Sequence, residues 1–368
     1  MAFHGLPVVS TEKLNSDKIV ETPMFQELNN DQRREKVNSD QRFAAWRDAK
    51  ARAESYRGSL VWQEVKGEQY LVRSHYDASG NRRQKSEGRR SPEMERKKAD
   101  WERARVEAKD RFKSMREVMI RQAAINRAVK LGRVPLVGAR IIRSLDEAGL
   151  LGNGIRIVGT NAIYAYEAVA GVMVDPDITT TLDIDLLLDA RVSLRMVASE
   201  DVPERALIEL LRKVDKTFER ASQTFRAVNS EGYLVDLIKP QRNPPWQNER
   251  VQIGDAEDEL AAVPINGLVW LENAPPFEAI AIDEKGAPVR IVTSDPRVFA
   301  AHKLWMSRQS DRDPTKRRRD TAQASAVAKI VSRYLQYLPF DSSDMRMLPR
   351  DVFEVAKPLF DGDEGENA

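Results

Sequence analysis

The segment 181–188, which reads TLDIDLLL, most constrains what this chain can fold into, because two aspartates interrupt an otherwise apolar, β-rich run. Side chains alternate along a strand, so Asp183 and Asp185 project from the same side. Two neighbouring carboxylates in an apolar strand are costly to bury unless a cation offsets their charge. The segment therefore predicts a buried strand that carries a site for a hard cation.

A third aspartate, Asp236, interrupts a second apolar run, YLVDLI at 233–238, in the same way. If the two runs form neighbouring strands, three carboxylates converge on one point. Three carboxylates suit one or two Mg²⁺ ions, which take oxygen ligands and complete their shell with water and substrate phosphates. Two such ions can activate an attacking hydroxyl and stabilise a leaving pyrophosphate.

The order of these motifs resembles a known superfamily. A Gly-Thr pair, a helix, an Asp-x-Asp strand and a later apolar-Asp-apolar strand are similar to the nucleotidyltransferase superfamily that includes DNA polymerase β. The runs 159–167 (GTNAIYAYE) and 183–191 (DIDLLLDAR) more closely resemble a bacterial family of uncharacterised nucleotidyltransferase-fold proteins. The resemblance extends from about residue 59 to about residue 328.

The resemblance implies a role for each matching residue. Asp183 and Asp185 would hold a metal ion on the nucleotide phosphates, and Asp236 would help to bind a second ion near the acceptor hydroxyl. Gly159 and Thr160 match the Gly-Ser position of the superfamily, where backbone N–H groups at a helix start receive triphosphate oxygens. The implied cofactor is Mg²⁺, as two ions, with Mn²⁺ as the alternative.

Two departures from the superfamily pattern stand out. Threonine replaces the usual serine at Thr160 but keeps the hydroxyl. The gap to Asp183 is longer than usual, and we interpret the insertion at 170–177 as a loop over the site. The helix that opens near Pro296 resembles the helical part that follows the catalytic core in relatives, which makes Lys303 the candidate for binding nucleotide phosphates; a plain surface lysine is the competing interpretation.

Three further side chains near these motifs have two interpretations each. Tyr164 and Tyr166 either stack on a base or pack in the core, and packing is favoured. Arg191 pairs either with a phosphate or with Asp189, and the salt bridge is favoured. The basic cluster 316–319 binds RNA phosphates or is a solvated helix face, which such clusters usually are.

Composition limits the partners and the kind of site. The 368 residues carry 59 basic and 57 acidic side chains, a net charge of +2, so attraction to nucleic acid must come from local patches. The chain has no cysteine and three scattered histidines, which excludes disulfides and argues against a zinc centre. The N-terminus lacks the features of a signal peptide, and no apolar run approaches eighteen residues. We expect a cytoplasmic protein that does not enter a membrane.

The N-terminal third is highly charged. A thin apolar stripe predicts helices over 22–57, and two β-rich runs within 59–73 predict a hairpin. The polar stretch 77–91 predicts a mobile, basic loop. A long amphipathic helix follows Pro92, and it predicts either homo-oligomerisation through residues 92–130 or packing within one chain.

The remaining elements alternate in type. Residues 134–152 predict an amphipathic helix that leads into the strand before Gly159. Residues 240–245 mark a boundary by their density of proline and polar side chains. Short apolar pieces then predict strands and turns at 263–265, 268–271, 279–282 and 289–292.

Together these patterns predict an α+β fold: a polymerase β-like core with a mixed sheet and helices, an N-terminal helical and hairpin extension, and a partly helical C-terminal domain. The expected domain bounds are 1–130, 131–240 and 241–368.

The expected reaction is metal-dependent transfer of a nucleoside monophosphate from an NTP to a hydroxyl acceptor, with release of pyrophosphate. The acceptor, whether RNA, tRNA, a protein or a small molecule, stays open, and the basic stretch 82–90 leans toward nucleic acid. The alternative is a catalytically silent protein that binds nucleic acid or a partner, such as a component of a toxin-antitoxin system.

Overall fold

The computed structural model describes residues 24–76, 81–189, 191, 206–242, 251–254 and 256–361. The α-helices are α1 (Asn30–Ser55), α2 (Pro92–Ala128), α3 (Leu136–Glu147), α4 (Ile163–Ala170), α5 (Pro176–Thr179), α6 (Leu207–Val214), α7 (Leu268–Asn273), α8 (Pro296–Ser307), α9 (Pro314–Tyr334) and α10 (Arg350–Ala356). The strands are β1 (Phe25–Glu27), β2 (Ser59–Val65), β3 (Glu68–Tyr76), β4 (Arg82–Arg89), β5 (Ile155–Val158), β6 (Val172–Val174), β7 (Asp183–Leu188), β8 (Glu219–Arg220), β9 (Arg226–Val228), β10 (Leu234–Pro240), β11 (Val263–Ile265), β12 (Pro276–Ile282) and β13 (Pro288–Ser294). Short 3₁₀ turns form at Gly159–Ala162, Ser343–Met347 and Lys357–Leu359.

The central sheet is mixed, with the strand order β5-β7-β10-β9-β8 and with β11 paired to β10. Strands β7 and β10 run parallel, whereas β5 and β9 pair antiparallel to their neighbours. The register places Asp236 directly opposite Asp185. The predicted α+β fold with a mixed sheet is therefore confirmed, and the two aspartate-bearing runs are neighbouring strands.

The two faces of this sheet have different roles. Ile184, Leu186 and Leu237 point to one face and are fully buried in the main hydrophobic core, which α3, α6 and the β12–β13 hairpin complete. By alternation, Asp183, Asp185 and Asp236 share the opposite face with Leu187 and Ile238. Leu187 and Ile238 pack in a second core formed largely by α7, α8, α9 and α10. The carboxylates therefore face the C-terminal helices.

An N-terminal arm, consisting of α1, the sheet β2-β3-β4 and α2, packs along this core. Asn29 and Gln32 form a capping box at the start of α1, and Ser91 caps α2, whose first residue is Pro92. Helices α1 and α2 pack against each other, which is the intrachain packing that the apolar stripe allowed. Homo-oligomerisation through residues 92–130 stays a prediction.

Three element predictions are wrong. The basic stretch predicted as a loop contains strand β4, which pairs along β3 from Tyr70 to Tyr76, while residues 77–80 lie outside the described residues. Its polar composition hides the strand because β4 is an exposed edge strand. The apolar run at 268–271 is the start of helix α7 rather than a strand, with Leu268 and Leu271 buried one turn apart.

The third wrong prediction is the insertion at 170–177. It forms strand β6, which pairs antiparallel with β1 near the N-terminus, and the start of the short helix α5. The insertion is therefore regular structure rather than a loop, and helix α5, which begins in it, contacts the 3₁₀ turn at Gly159.

The predicted boundary at residue 240 does not separate two hydrophobic cores. Strand β11 extends the central sheet, and Ala279 and Ile291 belong to the same core as Ile184. The proposed domain bounds stay a prediction, and residues 1–23 and 243–250 lie outside the described ones. Among the described helices, none combines the length and the apolar character that crossing a bilayer requires.

Candidate active site

The candidate site lies where β5 ends beside β7. Val158, the last residue of β5, is the register partner of Asp185, and Gly159 begins the 3₁₀ turn that leads into α4. Asp183 and Asp185 are half-buried, and Thr181 donates a hydrogen bond to the Asp183 carboxylate. The structure thus brings the Gly-Thr pair and the Asp-x-Asp pair together, as the sequence predicted.

Gly159 has a steric reason to be glycine. Its φ of +63° lies in the left-handed region, where a side chain is disfavoured. A Cβ atom at this position would lie 2.0 Å from Oδ2 of Asp185, far inside van der Waals contact. The backbone of the turn and the Asp185 carboxylate can approach this closely only because residue 159 has no side chain.

The next two residues of the turn are held by contacts from distant parts of the chain. The Thr160 hydroxyl accepts a hydrogen bond of 3.0 Å from Nε2 of Gln323 on α9, which also donates to the carbonyl of Ile178. Nδ2 of Asn161 donates to the backbone carbonyl of Asp183 at 2.8 Å. Helix α9 and strand β7 therefore fix the position of the turn.

Asp236 has a partner that the sequence did not reveal. Both of its carboxylate oxygens accept hydrogen bonds of 2.6 Å from the Arg226 guanidinium, which lies opposite it on β9. Asp236 is 8% exposed, so this bidentate pair is largely shielded from water. A signal for Arg226 did exist, because the turn at Gly232 joins 226–228 and 234–240 as a hairpin whose register faces the two residues.

The Asp185 carboxyl is in an environment that opposes its ionisation. Burial, followed by the charge of Asp183, raises the pKa of Asp185 to about 7, and the charge of Asp236 acts in the same direction. The charges of Lys303 and Arg312 act in the opposite direction and lower the pKa of Asp185. The surroundings of Asp185 therefore contain negative charge that its neighbours do not fully offset.

Lys303, the candidate for binding phosphates, is held by an acidic partner. Its Nζ atom donates to the buried Asp320 at 2.9 Å, and Arg312 contacts the other oxygen of the same carboxylate at 2.8 Å. Two cations share one carboxylate, which leaves one net positive charge in this group. The group therefore offers an anion a cationic surface beside the aspartates.

The donor set suits a hard cation at Asp183 and Asp185. Within the described ranges, no group of three acidic or histidine side chains is arranged to hold a metal ion by itself. Mg²⁺, however, is often bound by one or two carboxylates together with water and substrate phosphates. The pair Asp183 and Asp185 meets that requirement, whereas Asp236 is already neutralised by Arg226.

The remaining side chains near the motifs have structural partners. The hydroxyl of Tyr164 donates to the Thr179 carbonyl, and that of Tyr166 donates to the Ser294 carbonyl. Both rings are buried, so packing in the core is the confirmed interpretation. Arg191 forms the favoured salt bridge with Asp189.

Comparison with protein families gives one finding that bears on this site. A family model described as Nucleotidyltransferase matches residues 137–349. The chain belongs to this nucleotidyltransferase family. Comparisons with curated proteins and with solved structures give no match.

The nucleotidyltransferase match covers every residue that builds the site. It begins inside α3 and ends just before α10, so it contains the 3₁₀ turn, strands β7 and β10, and helices α8 and α9. The arm formed by α1, β2-β3-β4 and α2 lies outside it. The matched part is therefore the nucleotidyltransferase domain of this chain. The arm is an additional segment that precedes it.

Proposed function

We propose that the protein transfers a nucleoside monophosphate from an NTP to a hydroxyl acceptor, in a reaction that depends on Mg²⁺. The observation that carries this proposal is the carboxylate pair Asp183 and Asp185 beside the Gly159 turn, with the pKa of Asp185 raised to about 7. A half-buried pair of carboxylates on one face of a strand is unfavourable without a cation, so its presence favours a use. Membership of the nucleotidyltransferase family agrees with this chemistry.

The reaction forms one bond and breaks another at the α-phosphorus. The acceptor oxygen bonds to this phosphorus, the bond to the bridging oxygen breaks, and pyrophosphate leaves with the electron pair. The proton of the acceptor hydroxyl passes to Asp236 and from there to solvent. Because both Asp236 oxygens face Arg226, this transfer requires the guanidinium to release one of them.

The other residues bind and orient the nucleotide. Asp183 and Asp185 would hold Mg²⁺, which when bound would offset charge on the triphosphate and the leaving pyrophosphate. Backbone N–H groups at Gly159 and Thr160 would receive phosphate oxygens. Lys303 and Arg312 supply positive charge that acts on the Asp185 carboxylate.

Asp236 fits a second ion only if Arg226 moves away. In the described arrangement Arg226 occupies the place next to Asp236 that a cation would take. We therefore propose one ion at Asp183 and Asp185, with a second at Asp236 conditional on opening of the Arg226 pair.

The test is transfer of label from each α-³²P-labelled NTP, with Mg²⁺ or Mn²⁺, into total RNA, protein or small molecules of a cell lysate. We expect label transfer by the parent protein and its loss, by at least about a hundredfold, in Asp183→Asn and Asp185→Asn. Asp351→Asn is the matched control, because it removes the same charge at an exposed position on α10. Full transfer by Asp183→Asn would sink the mechanism.

The acceptor class is identified by the fraction that becomes labelled. If none is labelled by the parent but an NTP still binds with Mg²⁺, the silent binding protein becomes the better description. Loss of activity in the Asp351→Asn control would point to a folding defect, and thermal unfolding of each variant separates that case.

A further inference from the structure

We propose that the three-stranded sheet β2-β3-β4, at the end of the arm, binds single-stranded nucleic acid. The sheet lies outside the part of the chain that matches the nucleotidyltransferase family. This binding goes beyond the proposed transfer reaction and does not depend on it.

One face of this sheet packs against α2. Leu71 is fully buried, and its register partners are Trp62 on β2 and Gly88 on β4, so these three residues lie on the same face. A Cβ atom on Gly88 would lie 3.1 Å from the sulfur of Met94 on α2. This face is therefore the one that the helix covers.

The opposite face carries exposed aromatic and cationic side chains around the buried Val72 and Ser74 of the central strand. Tyr76, which is 64% exposed, and Val61, which is 39% exposed, belong to it by alternation. Arg82 is the register partner of Tyr76, and Arg89 is that of Tyr70; both arginines are exposed. An exposed tyrosine beside an arginine offers a base both a stacking surface and a charge.

The sheet also carries a net positive charge. Residues 59–90 contain seven basic and four acidic side chains, a net charge of +3, whereas the whole chain has +2. Two of the acids are already engaged, Glu68 by Arg89 and Glu87 by Lys97 of α2. The local field therefore favours a polyanion, as a basic patch on a nearly neutral protein does.

Strand β4 presents cations on both sides of this sheet edge. Arg82 lies on the face of Tyr76, whereas Arg83 and Lys85, the register partners of His75 and Arg73, lie on the other. Arg82, Arg83 and Lys85 are all exposed, and Arg82 donates to the uncharged Ser74 hydroxyl at 2.8 Å. Arg83 and Lys85, two apart on the strand, are separated by about 7 Å, which suits successive phosphates of an extended nucleic-acid strand. Charged edge strands also prevent aggregation through β-pairing, and the experiment distinguishes that role from binding.

The experiment measures fluorescence anisotropy of a labelled 20-nucleotide single-stranded RNA with the full-length protein over a range of salt concentrations. The test variant combines Arg82→Glu, Arg83→Glu and Lys85→Glu. The matched control combines Lys109→Glu, Arg111→Glu and Lys113→Glu, three exposed cations on α2, so both variants change the net charge equally.

We expect the parent and the α2 variant to bind alike and the β4 variant to bind at least about a hundredfold more weakly. The slope of log affinity against log salt should fall by about 2 in the β4 variant, since each contact with a single strand contributes about 0.7. Asp185→Asn should bind like the parent, which separates this proposal from the transfer reaction.

A second pair of variants tests the stacking surface. It also keeps the proposal testable if the β4 variant fails to fold. Tyr76→Ser should weaken binding about tenfold, whereas Tyr76→Phe should retain it because the ring remains. The proposal is overturned if the parent does not bind, if both triple variants lose affinity equally, or if a duplex RNA or anionic vesicles bind more tightly than the single strand. Aggregation of the β4 variant without binding by the parent would assign its cations to edge protection and would also overturn it.

Discussion

At the scale of single residues, Gly159 makes the sharpest prediction. Gly159→Ala should lose at least about tenfold in nucleotidyl transfer, because its Cβ would collide with the Asp185 carboxylate and displace it. Because alanine is strained in the left-handed conformation, the substitution should also lower the free energy of unfolding by about 1 kcal/mol. Label transfer and urea unfolding measure the two effects.

Gly171 provides the control for that substitution. Its φ of +69° is close to that of Gly159, but a Cβ there meets no atom within 4 Å. Gly171→Ala should therefore show the same loss of stability with activity retained. Equal activity in the two variants would mean that the close approach to Asp185 has no part in transfer.

A second residue-scale prediction concerns Arg226. Arg226→Met leaves the Asp236 carboxylate buried without its partner, which should destabilise the protein by about 3 kcal/mol. Mg²⁺ should restore part of this stability, because a cation can then occupy the place of the guanidinium. The double variant Arg226→Met with Asp236→Asn should gain from Mg²⁺ only the stabilisation that the site at Asp183 and Asp185 gives the parent. Thermal unfolding with and without Mg²⁺ tests this, and an equal response of both variants would contradict a cation site at Asp236.

At the scale of elements, the arm is fixed to the core by a buried polar network. Asn126 on α2 donates to the Gly286 carbonyl at 2.8 Å, and its Oδ1 accepts hydrogen bonds from Ser39 and Gln122. Asn126 and Ser39 are fully buried, so each group depends on these partners. The contact between arm and core therefore needs this particular side chain.

Asn126→Ala should lower the free energy of unfolding by about 3 kcal/mol, because it leaves several buried polar groups unpaired. Arg121→Ala, at an exposed position of the same helix, should change it by less than about 0.5 kcal/mol. Urea unfolding measures both, and similar values for the two variants would show that the network does not hold the arm.

At the scale of the whole molecule, two carboxyls with strongly raised pKa values contribute to how stability depends on pH. The pKa values of Asp185 and Glu259 are both raised to about 7, in each case first by burial. Between about pH 4 and pH 7 the unfolded chain releases these protons while the folded chain keeps them, so stability falls as pH rises. Burial lowers the pKa of His302 to about 3, which acts in the opposite sense, since only the unfolded chain takes up that proton below about pH 6.5.

Without divalent cations, Asp185→Asn and Glu259→Gln should each gain stability relative to the parent on going from pH 5 to pH 8, on the order of 2 to 4 kcal/mol. Mg²⁺ distinguishes them. At pH 8 it should stabilise the parent and Glu259→Gln but not Asp185→Asn. Unfolding followed by circular dichroism gives these values, and stabilisation of Asp185→Asn by Mg²⁺ would remove that residue from the ion site.

The sequence by itself determined the elements whose signals are local. Apolar residues that alternate with Asp183, Asp185 and Asp236 identified two strands and the common face of their carboxylates, because side-chain direction follows from position along a strand. Helical periodicity and a proline at the helix start located α2 and α8, because these signals also depend only on position along the chain. Strand β4 and helix α7 were not predicted. An exposed edge strand lacks an apolar face, and a short apolar run fits a strand or a helix equally well.

Only the tertiary structure decided which groups neutralise the site. Arg226 takes both oxygens of Asp236, Asp320 holds Lys303, and Gln323 supports Thr160 across 163 positions of the chain. Such contacts join residues that no local pattern relates. Their effect on charge depends on burial, which arises only when the sheet and the C-terminal helices pack together. The sequence thus placed the carboxylates on their strands, and packing set the charge that surrounds them.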